Sequence, residues 1–354
     1  MSDPKVRTAL VVAGGAGTRL HPLTYTTPKP LLPFCGAPFL EGQIRRLAAA
    51  GVTEVLLVVG AEPAPFRSLV PVARELGVEL DTVPEPEPLD TAGGVRSAVG
   101  RLSGPVLVLN GDVLTDVNYE EVARRHVAAG ADVTIVLTEV EDTSSFGVAV
   151  RDGTRIARFV EKPAPGTLPG ENAINAGTYV LDPDVLLAHP EGPLSFEHDV
   201  FPGVLARGGH VEGVVWDGVW ADLGTPDRYR HGHRLVLDGV LDWPSVHDVD
   251  ERGSGVRIAA GAEVAGDVTP PVLVLNGARI ASGATVGPYA VLGAGVEVGA
   301  DAIVADGAIL HDGVRIGDGV VARGLVAGAG AEVETGATVA KDAVLGASQR
   351  VTRS

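Results

Sequence analysis

Residues 13–20 read AGGAGTRL, directly after the apolar run ALVV. Three glycines in four positions followed by threonine and arginine expose backbone N–H groups next to a fixed cation, which is chemistry for holding phosphate oxygens. A dinucleotide fingerprint starting at Gly15 would need glycine where Leu20 stands, and a P-loop would need lysine then serine or threonine after the last glycine. What remains is a loop of Ala13, Gly14, Gly15, Gly17 and Thr18 with Arg19 as its cation. HPLTYTTPKPLLPFCGAP (21–38) follows with five prolines, expected to hold an extended, irregular segment rigid, with Lys29 locked between Pro28 and Pro30. NGD (110–112) ends an apolar run with Asp112, and WADLGTP (220–226) places Asp222 after GVVW. Two carboxylates from distant segments, with phosphate supplying further oxygens, suit octahedral Mg²⁺. VEKP (160–163) sets Glu161 beside Lys162, and NAGTYV (175–180) adds Asn175 and Gly177. No histidine or cysteine stands in a nucleophile arrangement; the HxH pair His231/His233 reads as a solvated helix face and Cys35 as an inert buried thiol.

The bulk numbers limit the partners. The chain has 354 residues, a net charge of −17 and only four lysines, which argues against a nucleic-acid partner and leaves anionic ligands to a few placed cations. One cysteine excludes an internal disulfide and suits a reducing compartment. Leu10–Ala13 is too short for a signal core and no run approaches a membrane span, so the expectation is a cytoplasmic protein without membrane contact.

The elements that must position these residues fall into two styles. TALVVAG (8–14), VTEVLLVVG (52–60), GPVLVLNGD (104–112) and DVTIVLTEV (132–140) read as buried strands. LEGQIRRLAAAG (40–51) and NYEEVARRHVAAG (118–130) read as helices closed by glycine. Alternation of this kind predicts a Rossmann-like α/β domain with a mostly parallel sheet, binding ligands beyond the carboxyl ends of its strands. From Val268 to Ile316 a branched aliphatic recurs every sixth residue nine times, resuming after a one-residue slip at Val321, Ala327, Val333, Val339 and Leu345. That period predicts a parallel β-helix. The division expected is a catalytic domain at 1–238, a linker at 239–255 and the β-helix at 256–348, the last suited to homo-oligomerisation.

AGGAGTRLHPLTYTTPKPLLP, LNGD, FVEKP, NAGTYVL and WADLGTP, in this order across residues 6–230, resemble the sugar-1-phosphate nucleotidyltransferases. The PFC stretch, the EPLDTAG segment (87–93), VEDTSSFGVAV (140–150) and a left-handed β-helix resemble the mannose-1-phosphate guanylyltransferases most. The resemblance implies that Gly14, Gly15, Gly17, Thr18 and Arg19 hold a nucleoside triphosphate with Lys29 assisting, that Asp112 and Asp222 bind Mg²⁺, and that Glu161 and Asn175 bond sugar hydroxyls. It also puts Lys162 on the sugar phosphate and Gly147 in the sugar pocket. VPEPEPLDTAGG (83–94) stands where such enzymes read the base, with Thr91, Ala92, Gly93, Asn110 and Gly111 beside the nucleotide. A carboxylate accepts guanine N1–H and N2–H₂, so Glu85 or Glu87 points to GTP. The family has glycine where this chain has Asp90, so adenine, uracil or thymine stays open, as do mannose, glucose or an unusual sugar 1-phosphate. A catalytically dead nucleotide-sugar-binding subunit is the rival reading, opposed by intact Arg19, Lys29, Asp112, Lys162 and Asp222.

Overall fold

The computed structural model describes residues 6–164 and 166–353. It separates into two compact units, Met1–Gly15 with Gln43–Trp220, and Ala16–Gly42 with Ala221–Ser354. These do not follow the linear boundaries at 238 and 255: the proline-rich segment and the helix Pro226–Leu237 belong to the same unit as the β-helix.

The first unit is built on a nine-stranded sheet: β1 (Thr8–Val12), β2 (Glu54–Val59), β3 (Glu79–Pro84), β4 (Val106–Asn110), β5 (Val133–Glu139), β6 (Gly147–Asp152), β7 (Arg155–Glu161), β8 (Ala173–Leu181) and β9 (Val211–Val215). Their order is β3-β2-β1-β4-β8-β5-β9-β7-β6. The strands expected from apolar runs form the parallel part, Ala9 lying between Val55 and Leu107, while β8 enters antiparallel to both β4 and β5. Strand β1 lies inside the sheet between β2 and β4, and every residue from Thr8 to Val11 is buried. Its carboxyl end delivers Ala13, whose N–H donates to Val58 O (2.7 Å), while the Gly111 N–H donates to Val12 O (2.8 Å). Among the described residues no helix is long and apolar enough to cross a membrane.

In the second unit, residues 256–351 wind as three parallel sheets, the arrangement of a left-handed β-helix. One coil takes 18 residues, so that Val274 pairs with Leu292 in register. The sixfold aliphatics from Val274 to Ile316 are buried, and a second inward series lies two residues before each: Val272, Ala278, Ala284, Ala290, Val296, Ala302, Ala308 and Val314. The slip falls one repeat later than the sequence reading placed it. Val321 is exposed, and Ala322, paired with Val304, keeps the register; the residue is lost between Ala322 and Ala327, at the turn through Gly324.

The proline-rich segment is not extended. It forms three 3₁₀ turns (Thr18–Leu20, Leu23–Tyr25, Lys29–Leu31) and a small hairpin whose loop residues Cys35 and Gly36 both have positive φ. Residues 239–255 are likewise packed rather than free. Trp243 is 1% exposed, stacks on Phe39 at 5.2 Å and lies over Gly42, where any Cβ would strike the indole.

His233 is buried instead of solvated, whereas His231 on the same helix faces outward, so the HxH pair is not a metal pair. His233 Nδ1 lies 3.3 Å from the Cys35 Sγ, and the Tyr229 hydroxyl bonds Pro33 O and His311 Nε2 (3.2 Å). Burial lifts the Cys35 thiol far above its ordinary range and drives His233 down to about 3 and His311 to about 4. Both imidazoles are therefore neutral when folded and charge only on unfolding below pH 6.5. The unfolded chain binds more protons there, so stability is intact above pH 6.5 and declines as pH falls toward 4. By pH 5 each costs about 2 kcal/mol. Calorimetry from pH 7 to 5 should show a falling Tm, with a shallower slope in His311→Gln, which retains an N–H donor for the Tyr229 oxygen.

Candidate active site

In the first unit the phosphate-loop residues are shaped by what lies beneath them. A Cβ on Gly14 would stand 2.9 Å from Glu85 Oε2, whereas Gly15 faces open space. Glu85 leaves β3 with its N–H on Val59 O (2.7 Å) and is 7% exposed; Glu87, two residues on, points to solvent. The structure thus separates two carboxylates that the sequence left equivalent. Glu85 Oε1 is buried with no partner in hydrogen-bond geometry, and burial raises its pKa, with the Gly94 N–H opposing and Asp90 adding to the rise.

Asp90 opens the helix α1 (Asp90–Ser97) at φ 64, which explains why glycine suits this position and why aspartate is accepted in its place. Its Oδ1 takes the Thr91 N–H at 2.7 Å. The N–H groups of Ala92 and Gly93 both donate to Leu194 O (2.8 and 3.1 Å), and Thr91 Oγ1 donates to Glu197 (2.9 Å), so these three residues fix the helix start through internal bonds.

Glu197 is the residue that motif reading missed. It sits in a π turn, Phe196–Val200, and receives bonds from Thr91 Oγ1, Ser195 Oγ (3.1 Å) and Asn175 Nδ2 (3.2 Å). The only sequence signal was an acidic residue inside the apolar-flanked run LSFEHDVF. Asn175 also donates to the Tyr179 hydroxyl (2.7 Å) and accepts from the Gly177 N–H (2.9 Å) at a bulge in β8, where Gly177 has φ 72. A side chain on Gly177 would meet Asn110 Nδ2 at 2.6 Å. At the end of β7, Lys162 (φ 44) bonds Glu161 Oε1 at 2.7 Å, and this bond raises the lysine pKa, with Glu197 and Asp90 contributing. Glu161 Oε2 is buried without a partner and lies over Gly147, where a Cβ would approach it to 2.7 Å. Asp112 is half-buried just beyond β4.

In the second unit Asp222 gathers cations: Lys29 Nζ at 3.8 Å from Oδ1, Arg19 at 3.9 Å and Arg228 at 2.5 Å from Oδ2. Lys29 is 10% exposed, pressed beneath Gly17, whose φ of 60 and 3.0 Å clearance from the Lys29 Cβ both require glycine. Thr18 opens the 3₁₀ turn that carries Arg19. Gly224 leaves room for the Arg19 guanidinium. Asp222 Oδ1 has no hydrogen-bond partner. Among the described residues, the buried side-chain oxygens left unpartnered are those of Gln43, Glu85, Glu161 and Asp222. Such oxygens cost about 1–3 kcal/mol each when nothing answers them.

A nine-stranded α/β sheet with a glycine loop and fixed cations defines a nucleotide-handling enzyme fold, and the nucleotidyl transferase family model matches residues 8–239; the chain belongs to that family. A model of the GMPPB C-terminal domain matches residues 268–354. The chain is 36% identical over 286 residues to the mannose-1-phosphate guanylyltransferase of Mycobacterium tuberculosis, covering 77% of this chain and 79% of that one. It is 37% identical to a probable mannose-1-phosphate guanylyltransferase 1 of Oryza sativa subsp. japonica, covering 73% and 70%. The crystal structure of HddC from Yersinia pseudotuberculosis complexed with GMP-PN superposes with a TM-score of 0.55 at 27% identity, over 64% of this chain and 98% of that one.

Proposed function

We propose that the protein transfers a guanylyl group from GTP to mannose 1-phosphate or a close sugar-like analogue, releasing pyrophosphate. The observation that carries the base assignment is Glu85, a buried carboxylate whose Oε2 lies beneath Gly14 and whose unpartnered Oε1 lies against Gly94, suited to accept guanine N1–H and N2–H₂. The named relatives support the sugar and the base alike.

In the reaction a sugar-phosphate oxygen forms a bond to the α-phosphorus in line, and the bond to the β-phosphate oxygen breaks, the electron pair leaving with pyrophosphate. The nucleophile is already ionised, so alignment and charge neutralisation supply the catalysis. Arg19 and Lys29 are the cations for the departing pyrophosphate, held meanwhile by Asp222. Lys162 meets the sugar phosphate, tethered by Glu161, whose free oxygen takes a sugar hydroxyl. Asn175 is oriented for the sugar by Gly177 and Glu197.

Mg²⁺ is the cofactor we assign, with Asp112 and Asp222 as its carboxylates. The unpartnered Asp222 oxygen is a hard donor, which suits an ion completed by phosphate oxygens. When bound it would neutralise phosphate charge.

The test is pyrophosphate release with GTP, ATP, UTP and dTTP against mannose and glucose 1-phosphates. GTP with mannose 1-phosphate should turn over fastest. A faster pyrimidine triphosphate would overturn the base, and silence throughout would restore the reading as a catalytically dead nucleotide-sugar-binding subunit.

A further inference from the structure

One sheet of the β-helix is made of Glu263–Val264, Arg279–Ile280, Glu297–Val298, Arg315–Ile316, Glu332–Val333 and Arg350–Val351. From the second strand to the fifth the aliphatic is buried, while the first residue of every strand stands on the outer face. The register places these outer residues directly side by side, Glu263 on Arg279, Arg279 on Glu297, Glu297 on Arg315, Arg315 on Glu332 and Glu332 on Arg350. At about 4.8 Å per rung, the result is a straight ladder of six alternating charges. Beside it Ala265, Ala281, Gly299 and Gly317 leave a shallow concavity of about 760 Å³.

Within one chain the charges link into two groups. Arg279 bridges Glu263 (3.4 Å) and Glu297 (3.7 Å), and Glu332 bridges Arg315 and Arg350 (both 3.2 Å), with Glu334 on Arg350 at 2.9 Å. Exposed bridges of this sort contribute little to stability. The two central rungs, Glu297 and Arg315, are each bridged outward, and among the described residues no ion pair joins them to each other.

We propose that this face pairs with the same face of a second copy of the chain, the two ladders running antiparallel about a two-fold axis between the Glu297 and Arg315 rungs. An alternating ladder with an even number of rungs is self-complementary when reversed. Glu263 then meets the partner's Arg350, Arg279 the partner's Glu332 and Glu297 the partner's Arg315. Run parallel, every rung would face its own like, so charge selects one of the two face-to-face arrangements. The chain as a whole carries −17 and repels itself, whereas this ladder holds equal numbers of Glu and Arg and lets two copies approach.

Sedimentation of the full-length protein at low salt tests this, with the chain mass of 36.2 kDa as the unit. The wild type should run as an even multiple of that mass and lose half of it in high salt, where exposed pairs are screened. Glu297→Arg and Arg315→Glu, each alone, should run at half the wild-type mass, because each sets like charges together twice across the axis. An equimolar mixture of the two should regain the wild-type mass, since each reversed rung then faces its complement. Should either reversal lower the unfolding temperature, the neutral pair Glu297→Gln/Arg315→Gln replaces it and should weaken assembly at least tenfold. A monomeric wild type, a single reversal that keeps the wild-type mass, or a mixture that stays at half mass each overturns the proposal.

Discussion

Replacing Lys29 with alanine is expected to lower kcat by 10²- to 10³-fold with a folded protein and a much smaller change in the KM for triphosphate. The reasoning starts from confinement. Pro28 and Pro30 fix φ on either side, the 3₁₀ turn at 29–31 holds the backbone, and the side chain lies under Gly17 with 10% of its surface exposed. A cation so held needs no reorganisation when charge gathers on the leaving pyrophosphate. Removing one preorganised group of this kind costs about 2.7–4 kcal/mol of transition-state stabilisation. Arg19, at 63% exposed, is freer and screened by water, so the confined lysine should matter at least as much despite its single point of charge. Asp222 keeps Arg19 and Arg228 after the substitution, which is why the fold should survive. Lys29→Arg should recover little, because a planar guanidinium does not reproduce the single ammonium held 3.8 Å from Asp222. Steady-state kinetics with a thermal melt decide it; a folded Lys29→Ala enzyme within threefold of wild type would falsify the role.

How far the sequence disclosed this site depends on which physics each residue obeys. Short-range rules were readable: apolar runs gave β1, β2, β4 and β5 to within two or three residues, and the hexad period gave the β-helix because burial recurs at a fixed interval. Residues whose meaning is set by long-range packing were not. Glu85 and Glu87 have the same local sequence, and only the approach of Gly14 and Gly94 from elsewhere in the chain makes one of them buried. Glu197 gained its partners from segments 106 and 22 residues away. The proline count correctly signalled a rigid segment but not its shape, since φ near −65° serves a 3₁₀ turn as well as an extended chain. Val321 was misplaced because valine and alanine are both acceptable inside a coil, and only the pairing of Val304 with Ala322 says which one points inward. Asp90 shows the opposite case, a departure from family pattern that the positive φ makes intelligible.

Substituting Glu85 with glutamine should change which base the enzyme prefers while leaving the fold almost untouched. The two side chains have the same shape, so the buried site is not emptied, and loss of the charge removes a desolvation cost. The carboxylate can accept two guanine N–H groups; glutamine offers one acceptor and presents its NH₂ to the other donor. Hydrogen bonds to a charged group contribute about 1.5–3 kcal/mol each, so kcat/KM for GTP should fall by about 10²- to 10⁴-fold. Inosine triphosphate lacks the N2 amino group and loses only one of the two bonds, so the wild-type preference for GTP over ITP should shrink in the variant. The wild type should also show an acid limb in kcat/KM for GTP. Only the ionised form accepts both protons, and because burial raises the Glu85 pKa, binding should fail at a higher pH than an exposed carboxylate would dictate. Glu85→Gln should lack that limb. If the variant uses GTP as well as the wild type, with the same GTP-to-ITP ratio and the same pH profile, Glu85 does not read the base, and the guanine assignment would rest on the relatives alone.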